Sequence, residues 1–155
     1  MNPQIRIDYL KHWPDLVETV VKWVYPLWWA ERTTFDEVVA LYWTVLNSYQ
    51  LPIGLIAFVN DSPAGTAIIC EEDPDIHIGV TPWLEGLFVY EPFRRNGVGV
   101  SLVKKIEKIA LEFGFREVYL SSGLENYYER QYFNIFRQLD DGQIIFRKKL
   151  SRKQQ

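Results

Sequence analysis

Apolar and polar residues alternate through Gln4–Asp8, "QIRID", which predicts a short strand near the start of the chain. The period then lengthens. Trp13, Leu16, Val20, Val24 and Leu27 recur at helical spacing, and Pro14 stands where a first turn tolerates proline. Thr34 and Glu37 form a capping-box pattern ahead of a second stripe: Phe35, Val38, Leu41, Tyr42, Val45 and Tyr49, closed by Pro52. Two apolar runs follow, "IGLIAFV" (53–59) and "AGTAIIC" (64–70), and predict a hairpin about the polar turn Asn60–Asp61–Ser62–Pro63.

An acidic loop, "EEDPDIHIGVT", leads into a strand "WLEGLFV" (83–89). Leu102, Val103, Ile106, Ile109, Ala110 and Phe113 then define a helix that Gly114 closes. "EVYLS" (117–121) predicts a buried strand, "LENYYERQY" (124–132) a short helix, and the last runs a hairpin turning at Asp141–Gly142 in two residues. The order is β-α-α-β-β-β-α-β-α-β-β, an α/β chain with a mixed sheet of the α+β kind. The two strands flanking the central helix should be parallel, since a crossover helix joins them. Nothing in the composition divides the chain, so residues 1–150 form one domain and 151–155 a frayed tail.

Composition narrows the partners. Hydrophobic residues make up 48% and charged residues 24%, the balance of a globular protein that needs no membrane. Six Trp, nine Tyr and nine Phe are enough for a large core, a ring-lined groove, or both. A net charge of −3 speaks against nucleic acid and leans weakly toward a cationic small molecule. No apolar run reaches the ~18 residues of a spanning helix, and the first residues lack the apolar segment of a signal peptide. The single cysteine, Cys70, cannot form an intramolecular disulfide. A cytoplasmic location is therefore expected, with no nucleic-acid or membrane partner.

The chemistry concentrates in "LFVYEPFRRNGVGVSL" (87–102). Gly97 and Gly99 stand where the central helix begins, so the free N–H groups of its first turn point into the loop. Glycine permits close approach to that backbone, and the helix dipole with Arg94 and Arg95 adds positive potential. This spacing supports an anion cradle or a tight turn beside solvated arginines. The dinucleotide fingerprint fails because Leu102 holds its third glycine position. The phosphate loop of NTPases fails as well, for want of a Gly-Lys-Ser/Thr.

Arg94-Arg95-Asn96-Gly97-Val98-Gly99 resembles the Arg/Gln-x-x-Gly-x-Gly/Ala motif of the GNAT N-acetyltransferases. "TPWLEGLFVYEPFRRNGVGVSLV" is similar to their strand-loop-helix core, "NYYERQYF" to their "YERLGF"-like segment, and "HWPDLVETVVKWVYPLW" to the first helix of small bacterial members. The resemblance covers nearly the whole chain. It implies the GNAT fold and acetyl-CoA as cosubstrate, with no metal. The cofactor would meet Leu87, Phe88 and Val89, then Arg94, Arg95, Asn96, Gly97, Val98, Gly99 and Val100, with Asn126 beyond. It also implies a bulge in strand 83–89, a cleft where that strand splays from its parallel neighbour, and an oxyanion-binding amide near Val89. Tyr128 matches the tyrosine that protonates the departing thiolate. Tyr132 stands where the family usually carries glycine, which allows Tyr127 as an alternative to Tyr128 for the acid. Homodimers are frequent in that family.

Glu85 is the candidate base or amine anchor, since period two places it with Leu87 and Val89 unless the bulge intervenes. Its bland alternative is a solvated edge glutamate. Trp23, Tyr25, Trp28 and Trp29 gather where the first helix ends, and exceed what one amphipathic face needs; they are the candidate substrate wall, with Glu85. His77, Glu71, Glu72, Asp73 and Asp75 could rim the acceptor site, though a charge run of this kind is usually solvated. Cys70 ends an apolar strand and reads as core rather than nucleophile. The function expected is direct acetyl transfer from acetyl-CoA to a primary amine, with a small cationic acceptor preferred. The alternatives are a peptide or protein acceptor, a non-catalytic acyl-CoA-binding module and, least supported, an unrelated nucleotide binder.

Overall fold

The computed structural model describes residues 3–123 and 125–151, with backbone alone at Glu125 and Asn126. Seven strands form one sheet in the order β1-β2-β3-β4-β5-β7-β6. They are β1 (Ile5–Tyr9), β2 (Ile53–Val59), β3 (Ser62–Cys70), β4 (Trp83–Val89), β5 (Glu117–Ser122), β6 (Asn134–Gln138) and β7 (Ile144–Lys149). The helices are α1 (Val17–Val24), α2 (Phe35–Trp43), α3 (Val98–Glu112) and α4 (Glu125–Glu129). Every neighbouring pair is antiparallel except β4 and β5. The mixed sheet and the predicted element order are therefore both present.

β2 reads as an unbroken apolar run because both its faces are covered. Ile53, Leu55, Ala57 and Val59 meet Leu102, Val103, Ile106, Ile109 and Ala110 of α3 on one face. Ile56 and Phe58 meet Val17, Val20, Val21 and Val24 of α1 and Val38 and Tyr42 of α2 on the other. A smaller cluster of Ile76, Trp83, Tyr119 and Ile145 lies under residues 71–80. The second face is thus roofed by α1 and α2 at one end and by a loop at the other.

Local departures have local causes. Pro26 has no N–H to give, and the chain after α1 widens into a π-helical turn over Tyr25–Trp29, with the Ala30 amide on the Tyr25 carbonyl. The wider turn breaks the helical phase, so Leu27 faces solvent instead of the core. α2 is capped as expected, the Thr34 hydroxyl accepting from the Glu37 amide at 3.2 Å. It ends at Trp43, and Tyr49, assigned to its stripe, is exposed beyond it. Asn60 and Asp61 turn the β2–β3 hairpin with positive φ at both. The β6–β7 connection is longer than the two residues expected. Leu139 and Gln143 bond to each other, leaving Asp140, Asp141 and Gly142 as a three-residue loop with Gly142 left-handed. Of the expected frayed tail, only Ser151 is among the described residues.

Candidate functional site

The site begins with an irregularity in β4. From Thr66 to Ile68 the register on β4 moves from Phe88 to Glu85, so one extra residue is inserted there. Gly86 carries it with φ +58. A side chain would be strained in this left-handed backbone, and the Tyr42 hydroxyl lies 3.4 Å from where a Cβ would start. The bulge aims Glu85, Gly86 and Leu87 together into one cleft. Beyond it β4 parts from β5, the two strands pairing only at Trp83–Tyr119. From Leu84 onward β4 therefore has an open edge toward β5.

The central loop follows β4 directly. Arg95 and Gly97 both have positive φ, and α3 starts at Val98 with no side-chain cap and no acidic residue in its first turn. Its first amides are free in the sense that every helix leaves them. Arg94 folds back, its Nε donating to the Val89 carbonyl at 2.9 Å and its guanidinium over the Phe88 ring. The exposed Asn96 donates its side-chain amide to the Phe93 carbonyl at 3.3 Å, and Val98 packs in the core, leaving only its backbone for a ligand. Gly99 is crowded by the chain itself: a Cβ there would run into the Tyr127 hydroxyl. So Gly99 makes room for Tyr127, a use the sequence did not disclose. The Asn126 side chain, expected at the cofactor, lies outside the described residues.

The cleft has a volume of about 710 Å³, a size suited to a small molecule. Tyr42 and Leu41 of α2, Trp28 and Trp29 of the π turn, Glu72–Asp75 of the acidic loop, Leu84–Leu87 of β4, Ser121 and Ser122 of β5 with Gly123 beyond, and Tyr128 of α4 line it. Of the four rings proposed as a substrate wall, two face it. Trp23 instead stacks on Tyr90 at 5.5 Å, and the Tyr25 hydroxyl donates to the Thr33 carbonyl at 2.8 Å. Tyr42 went unrecognised because its spacing marks it equally well as core. The signal that separates the two is its phenol, a polar atom that a buried stripe rarely needs.

Glu85 is not a solvated edge residue. Its Oε1 is buried without a hydrogen-bond partner. Burial, then a hydrogen bond shared with the Asp73 carboxyl, then the charges of Asp73 and Asp75 push Glu85 up to about 9. Asp73 departs from the solvated charge run expected of it. It is 7% exposed, and its Oδ1 accepts from the amides of Asp75 and Ile76 at 2.7 and 2.9 Å. Glu71, Glu72, Asp75 and His77 are exposed. Burial, with Glu85's charge second, raises the Tyr42 hydroxyl as well. The Cys70 thiol is pushed up to about 12, mainly by burial, and donates to the Glu72 carbonyl at 3.3 Å. A thiol so held is a poor nucleophile at neutral pH.

Tyr128 is 6% exposed and packs edge-on against Tyr127 and Phe133. Burial raises its hydroxyl well above the usual tyrosine value, so it stays protonated at neutral pH. Tyr132 adopts φ +70, the backbone a glycine would take, and hands over to a buried Phe133 whose amide bonds the Tyr128 carbonyl at 3.1 Å. The short helix therefore ends in the usual way despite the substitution.

No helix of the described residues is long and apolar enough to cross a membrane. Among those residues no group of His, Cys, Asp and Glu could hold a metal ion. The profile of the acetyltransferase (GNAT) family matches residues 15–134. No curated protein sequence matches the chain. Solved structures share its fold. An aminoglycoside 6'-N-acetyltransferase complexed with coenzyme A superposes with a TM-score of 0.76 at 18% identity, over 95% of this chain and 98% of that one. An aminoglycoside 6'-acetyltransferase type Ii gives 0.73 at 20%, over 95% and 99%. The PaiA N-acetyltransferase from Thermoplasma acidophilum, in complex with coenzyme A, gives 0.68 at 18%, over 95% and 99%.

Proposed function

The chain belongs to the acetyltransferase (GNAT) family, and on that premise we propose that it transfers acetyl from acetyl-CoA to a primary amine of a small cationic molecule. The observation that carries this reading is the cleft at the β4 bulge, where an open strand edge, a buried carboxyl and a protonated phenol converge. Acetyl-CoA fits the residues present. The uncapped first turn of α3 offers amides at Gly97, Val98, Gly99 and Val100 to a pyrophosphate. The open edge of β4 at Leu87 and Val89 offers backbone groups to the amide-bearing pantetheine arm. Arg95 is exposed and adds charge, while Arg94 and Asn96 shape the loop.

The chemistry asks for a neutral amine, yet an alkylamine near pKa ~10 arrives protonated. Glu85 takes that proton once it has ionised, which happens as pH rises toward 9, directly or through water, and the nitrogen attacks the thioester carbonyl. The carbon–nitrogen bond forms as the carbon–sulfur bond breaks. An amide near Val89 stabilises the oxyanion, and Tyr128 gives its proton to the leaving thiolate. Trp28 and Trp29, with Glu72, Asp73 and Glu85 in the same lining, suit an alkylammonium acceptor. The aminoglycoside-acetylating neighbours support the fold alone, and the acceptor class here rests on the cleft's own charge. Tyr132, the ground for a non-catalytic acyl-CoA-binding module, takes the glycine backbone and no longer favours that alternative.

The test is thiol release from acetyl-CoA over a panel of polyamines, aminoglycosides, amino acids and peptides. Turnover above hydrolysis with a cationic small amine is expected, and none across the panel would sink the reading. Tyr128→Phe should lower kcat by roughly 10²–10⁴ while leaving coenzyme A affinity in place. Unchanged kcat would remove Tyr128 from the acid role.

A further inference from the structure

Tyr42 joins the core to the cleft. Its ring belongs to the cluster between β2 and the helices α1 and α2, where every other buried member is apolar. The residue is 2% exposed. Its far end reaches the β4 bulge: the hydroxyl lies 3.4 Å from where a Cβ on Gly86 would start, and both residues line the cleft. Glycine at the bulge thus leaves the space beside the phenol clear. Among the described residues none hydrogen-bonds that hydroxyl. A buried phenol ordinarily finds a partner, and one left without it costs stability that phenylalanine would not lose. A tyrosine held this rigidly, with its polar tip bare, implies a partner that enters the cleft.

The surroundings say which part of a ligand that is. Glu85 precedes Gly86 and brings a carboxyl to the same wall, next to the open edge of β4. Burial keeps the Tyr42 hydroxyl protonated at neutral pH, with its oxygen lone pairs still able to accept. We propose that Tyr42 binds the reacting nitrogen of the acceptor, its phenol oxygen accepting one N–H while Glu85 serves another. This rests on the acetyl-transfer reading for the reaction but not for the binding. An arriving ammonium has no lone pair, so the phenol must accept from it, and that charge-assisted bond is stronger than one to a neutral alcohol. The proton count closes without Tyr42. One N–H proton goes to Glu85, a second stays on nitrogen in its bond to Tyr42, and the neutral amine that forms is held at the thioester. Tyr42 is therefore an acceptor-binding residue and gains or loses no proton.

The test adds 1,4-diaminobutane to the protein saturated with coenzyme A, a complex that cannot turn over, and reads binding by calorimetry. Tyr42→Phe should weaken the diamine roughly 10- to 100-fold and leave coenzyme A affinity in place; unchanged diamine affinity overturns the assignment. The melting temperature should hold, since the variant deletes an oxygen that nothing in the free protein uses. A clear fall would show that the hydroxyl serves the fold, and would overturn it too. In the unsubstituted protein the Tyr42 ¹³Cζ resonance should move as the diamine is titrated, and a resonance that stays in place overturns the contact without need of any variant. If the diamine binds through Tyr42 while no amine is acetylated, the contact stands and the acetyl-transfer reading fails. Turnover that Tyr42→Phe leaves unchanged does the reverse.

Discussion

Glu85 ties stability to pH in a direction opposite to that of most carboxyls. Its folded value, about 9, lies far above the ordinary 4.5. The folded chain thus holds a proton that the unfolded chain has released. Its stabilising contribution is complete below about 4.5 and is lost as pH rises toward 9. Glu85→Gln removes that dependence. Denaturant unfolding should show the variant gaining on the parent between these limits, by up to ~1.4 kcal/mol per pH unit. A gap that does not widen with pH would mean the carboxyl is ionised in the folded chain. Period two singled out Glu85 from the sequence, though the bulge at Gly86 is what turns Glu85 and Leu87 into the same cleft. Asp73 was not legible. Four acids and a histidine in a short loop read as solvated, and only the two amides that donate to Asp73 show why one of them is buried.

Among the elements, α3 and β7 are joined by a buried ion pair, Glu107 Oε1 to Lys148 Nζ at 2.9 Å. Lys148 also lies over the Tyr132 and Phe133 rings. Glu107→Ala strands that ammonium in the interior and should cost about 3–5 kcal/mol in chemical unfolding. Glu107→Leu combined with Lys148→Met should cost far less, because no charge is left unpaired. Equal losses would show that packing, not charge, is at stake. Neither residue stood out in the sequence, since both sit in helix and strand patterns that normally point charges to water. Elements whose period stays constant, such as α3 and β2, were readable throughout. Those whose period changes were not: the π turn at Pro26 shifts Leu27 outward, and the last hairpin spends three residues where two were expected.

For the whole molecule, the sheet is continuous in order but not in hydrogen bonding. β1 to β4 form one ladder and β5, β7 and β6 another, and the two meet at Trp83–Tyr119. Side chains do most of the joining, through the cluster that α3 shares with both halves. Amide exchange should report this. Along Leu84–Val89, groups facing β3 should exchange slowly and those facing β5 quickly, giving alternating protection that evens out on adding coenzyme A. Uniform protection in the free protein would mean that the strands close in solution. The element order that produces the seam was legible, because a strand-helix-strand unit between antiparallel hairpins dictates a parallel neighbour. Its width was not, because it depends on one glycine's φ.

The seam has a consequence for solubility. Unpaired strand backbone is the surface on which chains ordinarily recruit one another into aggregates, and proteins guard it with charge, proline or short length. Here such backbone is lodged in the middle of a sheet, flanked by the other half and by α3, rather than at the sheet's outer edge. A substitution that widened the gap would expose adhesive backbone to neighbouring molecules. The width of the gap between β4 and β5 therefore decides both which ligand can thread it and whether the protein stays dispersed.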